Sequence, residues 1–351
     1  MWRGAAFGAR ARGVYTCAVM APRRFPILFI TSSRLGDAVL SSGLIKSLVE
    51  EVEGARFTVV ASPLTASLFE HVPGLDRVIV MEKRPLSVHW YGLWRQVRRT
   101  HWGLIVDTRG SAISSVLRRS RRAVHKPGGA PVHKVIEAAR LLKLEASPPA
   151  PHIYVAEVER ARAERLTAGD GPILAMAPAA NWVGKMWPAE HFAQVARTLL
   201  GPGGELAGGR LMVLGGPGDR GVAAPLLTAV PKDRRIDMVD RESLLVVFAA
   251  LAKARLFIGG DSGLMHLAAA AGAPTVGLFG PSDERLYAPW GEHVRVVRGP
   301  RTFEAIRARD PRLSNPVCHM TDLRASAVLA AARKLVAATA NAPIPAGEVH
   351  A

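Results

Sequence analysis

Four short stretches combine carboxylate, amine, hydroxyl and glycine in a way that suits the binding of an anionic group such as phosphate beside a general base. In TSSRLGDAVLSSG, residues 31–43, Asp37 stands at the start of a helix, where a carboxylate can cap the chain or serve as a general base, with Ser33 and Gly36 beside it in the loop. In NWVGKMWPAEHF, residues 181–192, Pro188 suits the first turn of a helix and leaves Lys185 in the preceding loop, free to reach into a cleft. In GGDSGLMHLAAAAGAPTVGLFGPSD, residues 259–283, Asp261 and Ser262 fall where an N-cap belongs, and Gly263 lets the backbone turn into a helix carrying Met265 and His266. The unpaired amides of that helix and its dipole attract phosphate. On these residues alone, a simple cap above a core histidine and a phosphate cradle stay open together.

The fourth stretch is GGPGDRG, residues 215–221. Gly216, Gly218 and Gly221 satisfy G-x-G-x-x-G after an apolar run, with Asp237 or Asp240 about 20 residues on, the pattern of a dinucleotide site. The pattern lies in the middle of the second half of the chain, and Pro217 stiffens it. It is therefore read as a tight turn beside a nucleotide, with Asp219 as a ribose contact.

These stretches need strands and helices to carry them. Apolar runs at 26–31, 55–62, 76–82 and 103–108 read as buried parallel strands, alternating with helical patterns over 38–52, 64–72 and 86–100. The pattern breaks at SPPAPHIYV and LTAGDGP within residues 145–171, then restarts with strands at 172–178, 210–216 and 235–240 and helices over 188–200, 223–230 and 244–253. A last helix is expected over 322–338. Such alternation predicts an α/β protein of two Rossmann-like, doubly wound domains, whose ligands bind beyond the carboxyl ends of the strands. The divisions expected are an N-terminal extension over 1–20, domains over 21–165 and 166–340, and a loose tail over 341–351. Met20 is the preferred start, since MAPRRFPILFI runs directly into the first strand.

The 351 residues suffice for two cores, and no apolar run approaches the roughly 18 to 20 residues of a membrane span. Two cysteines, Cys17 and Cys318, provide neither a disulfide framework nor metal-ligand spacing. The formal charge of +17 calls for an anionic partner or surface. Between Lys83 and Lys126 there are eleven Lys and Arg against one acid, Asp107, with Trp90, Trp94 and Trp102 nearby. A solvated basic face, a nucleic-acid track and a contact with phosphorylated lipid headgroups all fit that segment.

Three blocks, ILFITSSRLGDAVLSSGLIKSL, APAANWVGKMWPAEHFAQVA and FIGGDSGLMHLAAAAGAPTVGLFGPSD, together with VDTRGS and LMVLGGPGDR in the same order, resemble glycosyltransferase family 9, which includes the ADP-heptose:lipopolysaccharide heptosyltransferases. The likeness spans Pro26 to Leu335. It implies a GT-B fold, with the acceptor held by the first domain and the nucleotide sugar by the second across a central cleft. It implies inverting transfer without a metal or other cofactor. Asp37 would be the base, while Lys185, Ser262, Gly263 and the helix amides would hold the diphosphate, with His266 beside the nucleotide. Ser33, Gly36, Asp219, Asp261 and Met265 complete the expected substrate contacts. The implied partners are ADP-heptose and an anionic glycolipid, with peripheral contact at the cytoplasmic face of the bacterial inner membrane and no nucleic acid. Met186 stands where many relatives carry a basic residue, and NWVG lacks their hydroxyl-rich sequence, so another nucleotide sugar and another surface glycan remain open. Two rival classes are a nucleotide-sugar epimerase, which needs more acid-base groups than Asp37, and a non-enzymatic binder of nucleic acid or membrane.

Overall fold

The computed structural model describes residues 24–340 except 84, 127, 129 and 314; the expected N-terminal extension and C-terminal tail lie outside the described residues. Strands β1 (Phe25–Ile30), β2 (Ala55–Ala61), β3 (Leu75–Val80), β4 (Trp102–Asp107) and β5 (Arg119–Val124) form one sheet in the order β3-β2-β1-β4-β5. Strands β6 (Ile173–Ala177), β7 (Arg210–Gly215), β8 (Arg235–Val239), β9 (Leu256–Gly260), β10 (Thr275–Phe279) and β11 (Val294–Arg298) form a second, in the order β11-β10-β9-β6-β7-β8. All the pairings are parallel. Central strands such as β6, β9 and β10 are buried along their whole length, which is why they read as unbroken apolar runs.

The helices of the first half are α1 (Leu35–Leu40), α2 (Gly43–Glu51), α3 (Val88–Val97), α4 (Ile113–Val116) and α5 (Lys134–Ala139). They are followed by α6 (Glu157–Thr167), α7 (Ala189–Leu200), α8 (Arg220–Leu227), α9 (Leu244–Leu251), α10 (Gly263–Ala270), α11 (Glu284–Tyr287), α12 (Phe303–Arg309) and α13 (Ala325–Ala338). Among the described residues, no helix is long and apolar enough to cross a membrane.

Several elements depart from the sequence reading. The single helix expected over 38–52 is broken into α1 and α2, because the chain at Pro149 and Ala150 crosses there: a Cβ on Gly43 would lie 2.4 Å from the Ala150 carbonyl oxygen. The Ser42 hydroxyl stitches the break, donating to the Val39 carbonyl at 2.7 Å and accepting from the His152 amide at 2.9 Å. The helix expected over 64–72 is only a short 3-10 turn, Ala66–Phe69. Strands β5 and β11 were not expected at all. Both are edge strands, rich in arginine, and an edge carries no continuous apolar run to mark it.

The two halves share an apolar seam. One core runs from Ile27, Phe29 and Phe57 of the first sheet through Val39 and Leu44 to Phe257, Met265 and Leu267 of the second. Helix α6, which spans the expected domain boundary, packs on α9 of the second half, and Arg162 pairs with Glu242 there at 2.6 Å. His133 bridges the halves from the other side: Nδ1 accepts from the Val135 amide and Nε2 donates to the Ala288 carbonyl at 2.9 Å.

Candidate active site

Strand order reverses between β1 and β4 in the first sheet and between β6 and β9 in the second, and ligands of doubly wound sheets bind at such points. The turn after β1 carries Ser33, Gly36 and Asp37, the turn after β6 carries Lys185, and the turn after β9 carries Asp261, Ser262 and Gly263. All of them line one cavity of about 740 Å³, joined by Asp219 and His266. Residues 148 or more positions apart in the chain thus meet because two switch points face each other across the seam.

The N-termini of α1 and α10 meet inside this cleft. A Cβ on Gly263 would lie 2.5 Å from Leu35 Cγ, and one on Gly36 would lie 2.9 Å from His266 Cδ2. Gly263 was expected to serve the turn. Its backbone is not in the left-handed region, and what requires glycine there is the Leu35 side chain lying across it. Ser262 is the N-cap residue of α10, yet its side chain makes no capping bond, and its buried Oγ is left without a partner. A buried hydroxyl beside free helix amides, facing a cavity, is a donor awaiting an acceptor.

Lys185 does not hang free. Its Nζ donates to Asp261 Oδ2 at 2.5 Å, while His266 Nε2 lies 3.6 Å from Asp261 Oδ1. Asp261 is only 6% exposed. Burial by itself would raise its carboxyl; the His266 hydrogen bond and the Lys185 ammonium outweigh this and hold it well below the usual carboxylate range. A carboxylate so engaged orients the lysine and the histidine. The sequence reading makes Asp261 a substrate contact; in the structure its carboxylate is engaged by Lys185 and lies beside His266 at the cavity wall.

Asp37 sits on the opposite wall. It lies in the first turn of α1, whose N-cap is Arg34, so it is not the cap residue. Its Oδ2 accepts from Ser32 Oγ at 3.4 Å. A smaller cavity of about 200 Å³ adjoins it on the first-half side, lined by Ser32, Ser41, Thr108, His125, Lys134 and Glu137 among others. Asp37 therefore borders two chambers. The larger is shared between the halves, while the smaller, apart from Tyr287, belongs to the first.

Met265 is corrected: it is fully buried, packs against Gly277, and does not line the cavity. Asp219 lines it, and its Oδ2 accepts from the Gly216 amide at 2.8 Å, so the glycine-rich turn is folded onto its own aspartate. Gly218 takes the left-handed conformation there, φ +85°. Asp237 is held by Arg220 and Arg241 away from the cavity. Pro188 is the N-cap of α7 and precedes its first turn.

Several residues escaped the sequence reading. Glu242, in the turn after β8, lines the same cavity as Asp219, and so does Asp240, which the sequence offered only as the acid of a dinucleotide pattern. Tyr287 lines both chambers, and burial, followed by the charge of Asp37, pushes its hydroxyl above the ordinary value. No motif marked it. The loop bearing Lys185 is braced from afar: Trp187 Nε1 donates to the Leu323 carbonyl at 2.9 Å, Cys318 Sγ to the Met186 carbonyl at 2.9 Å, and the His319 amide to the Gly184 carbonyl at 3.2 Å.

The chain is similar to lipooligosaccharide heptosyltransferase 2 of Haemophilus influenzae, at 23% identity over 78% of this chain and 88% of the relative. It is similar to lipopolysaccharide heptosyltransferase 1 of Pseudomonas aeruginosa at 24% identity, over 76% and 81%. The fold matches the crystal structure of a family 9 glycosyltransferase from Veillonella parvula with a TM-score of 0.75 at 20% identity, covering 90% of this chain and 98% of that one. It matches Escherichia coli ADP-heptose lps heptosyltransferase II with a TM-score of 0.70 at 20% identity, covering 90% and 100%. The family model for glycosyltransferase family 9 (heptosyltransferase) covers residues 99–313, well over half of the chain, and takes in both Lys185 and the α10 turn. With two facing doubly wound sheets of the GT-B type, this chain is a glycosyltransferase and belongs to family 9, the heptosyltransferases.

Proposed function

We propose that this enzyme transfers a heptose from ADP-heptose, with inversion and without a metal, to an anionic inner-core acceptor of lipopolysaccharide at the cytoplasmic face of the inner membrane. The observation that carries the reading is the division of one cavity: an available carboxylate, Asp37, on the first half, and Lys185 with the unpartnered Ser262 hydroxyl and the α10 amides on the second. Asp37 takes the proton from the acceptor hydroxyl as its oxygen attacks the anomeric carbon. The bond from that carbon to the diphosphate oxygen breaks, and the electron pair leaves with the nucleoside diphosphate. Negative charge then grows where Lys185, Ser262 and the helix dipole already point, a field that needs no reorganisation at the moment of reaction. Asp261 keeps the ammonium aimed through that step.

In the same cavity Asp219, Asp240 and Glu242 provide oxygen acceptors suited to ribose hydroxyls. The relatives named for heptosyl transfer support ADP-heptose as donor, and the net charge of +17 supports a phosphorylated acceptor. Nucleotide sugars can be supplied in parallel with truncated lipopolysaccharide acceptors, wild type being compared with Asp37→Ala. Consumption of ADP-heptose with formation of a glycosylated acceptor is the expected result. Turnover of a different nucleotide sugar in its place would overturn the donor, and wild-type turnover by Asp37→Ala would overturn the base.

A further inference from the structure

A cavity of about 710 Å³ lies away from the cleft, between α3 and the turn that leads from β4 into α4, lined by Trp90, Tyr91, Trp94, Arg109, Ile113 and Val116 among others. Its surroundings are unusually apolar for a surface: Tyr91 is 63% exposed, Val116 67% and Leu86 97%. Leu86 also holds a left-handed backbone, φ +52°, which a leucine rarely adopts. A large exposed apolar patch marks an interaction site. Arginines stand around it. The Arg98 guanidinium lies over Trp94 and that of Arg109 over Trp90, each 4.9 Å from the ring centroid. Arg119 and Arg122 donate to Ser115, next to Val116. The one acid of this segment, Asp107, is fully buried and accepts from the Arg109 amide and Ser111, so it cancels nothing at the surface.

We propose that this face docks the enzyme on an anionic lipid bilayer, with Leu86, Tyr91 and Val116 entering the acyl region, the tryptophan-lined cavity receiving an acyl chain, and the arginines meeting lipid phosphates. Tryptophan and tyrosine favour the membrane interface, and basic side chains around an apolar face add attraction to anionic headgroups. Nucleic acid would satisfy the arginines and could stack on the rings. It would leave Leu86 and Val116 in water, and a bilayer does not. The placement also suits transfer. Thr108 borders the small chamber beside Asp37 while its neighbour Arg109 lines the aromatic cavity, so two consecutive residues at the end of β4 separate the lipid from the acceptor hydroxyl. The inference rests on the proposed reading that the acceptor is an anionic lipid.

Flotation of the full chain with vesicles of phosphatidylcholine, with and without about 30% phosphatidylglycerol, tests it. The wild type is expected to float about tenfold more with the anionic vesicles, and Leu86→Asp/Tyr91→Asp to lose that gain. Both positions are exposed, and aspartate tolerates the backbone at residue 86, so the fold should persist. Transfer to a deacylated, water-soluble acceptor should be the same for both proteins. The inference is overturned if the double variant floats like the wild type, or if the wild type ignores both vesicles while retaining single-stranded RNA. If neither protein turns over the soluble acceptor, the proposed reaction fails while flotation still decides the docking face.

Discussion

At the residue scale, the site depends on two carboxylates used in opposite ways. Asp37 is half-buried and borders both chambers, whereas Asp261 is buried beneath Lys185 and His266. Replacing Asp37 by alanine removes the proposed proton acceptor and should lower kcat by ~10²- to 10⁴-fold with little change in donor KM; steady-state kinetics with varied donor decide this, and a rise in donor KM at unchanged kcat would refute it. Asp261 should reveal itself through stability. Its carboxyl is held below the unfolded value of about 3.9, so its stabilisation is complete above that value and is lost as pH falls from there through the folded value. Asp261→Asn should therefore give a flatter plot of urea midpoint against pH than the wild type at acid pH, and parallel plots would sink the assignment. The types of both residues were plain in the sequence. That Asp261 is buried and paired with Lys185, while Asp37 stays half-buried at the cavity wall, was not, because burial and pairing arise only when α10 is laid against the lysine loop.

At the element scale, α1 and α10 set the width of the cleft. Gly263 carries the Leu35 side chain directly above its Cα, and Gly36 leaves room for the His266 ring. Gly263→Ala would overpack this crossing and should cost about 1–3 kcal/mol in chemical denaturation. Leu35→Gly combined with it should cost less than the sum of the two single changes, since it removes the Leu35 Cβ, Cγ and Cδ2, which would otherwise lie within 2.7 Å of the new methyl. Additivity in that cycle would show that the contact does not constrain the cleft. The α1–α2 break, by contrast, was invisible in the apolar spacing, because its cause is a crossing chain more than a hundred residues away.

At the scale of the whole molecule, charge and function are distributed unequally. The basic segment from Lys83 to Lys126 lies in the half that also carries Asp37, while the second half carries the Lys185–Asp261 pair, where the proposed function puts the diphosphate. Surface charges are screened beyond about 10 Å at 0.1 M salt, and buried pairs are screened far less. Raising salt from about 0.05 M to about 0.3 M should thus increase KM for the anionic acceptor several-fold and change KM for the donor much less. Initial rates at each salt concentration measure both, and equal changes would contradict the division.

The sequence by itself determined that the chain folds as two successive strand–helix alternations and which loops carry acid, amine and hydroxyl, because apolar period and turn chemistry are local properties written in adjacent residues. It also marked the family, through the three blocks that contain Asp37, Lys185 and Ser262. Only the tertiary structure decided that the switch points face one another, that Lys185 is aimed by Asp261, that Met265 is core, and that Tyr287, Asp240 and Glu242 join the cavity. It also turned arginine-rich segments into edge strands and left an aromatic, basic-rimmed face uncovered by the described residues. The physical reason is the same in each case: strand order and packing fix which distant residues share a space, and no local pattern encodes that distance.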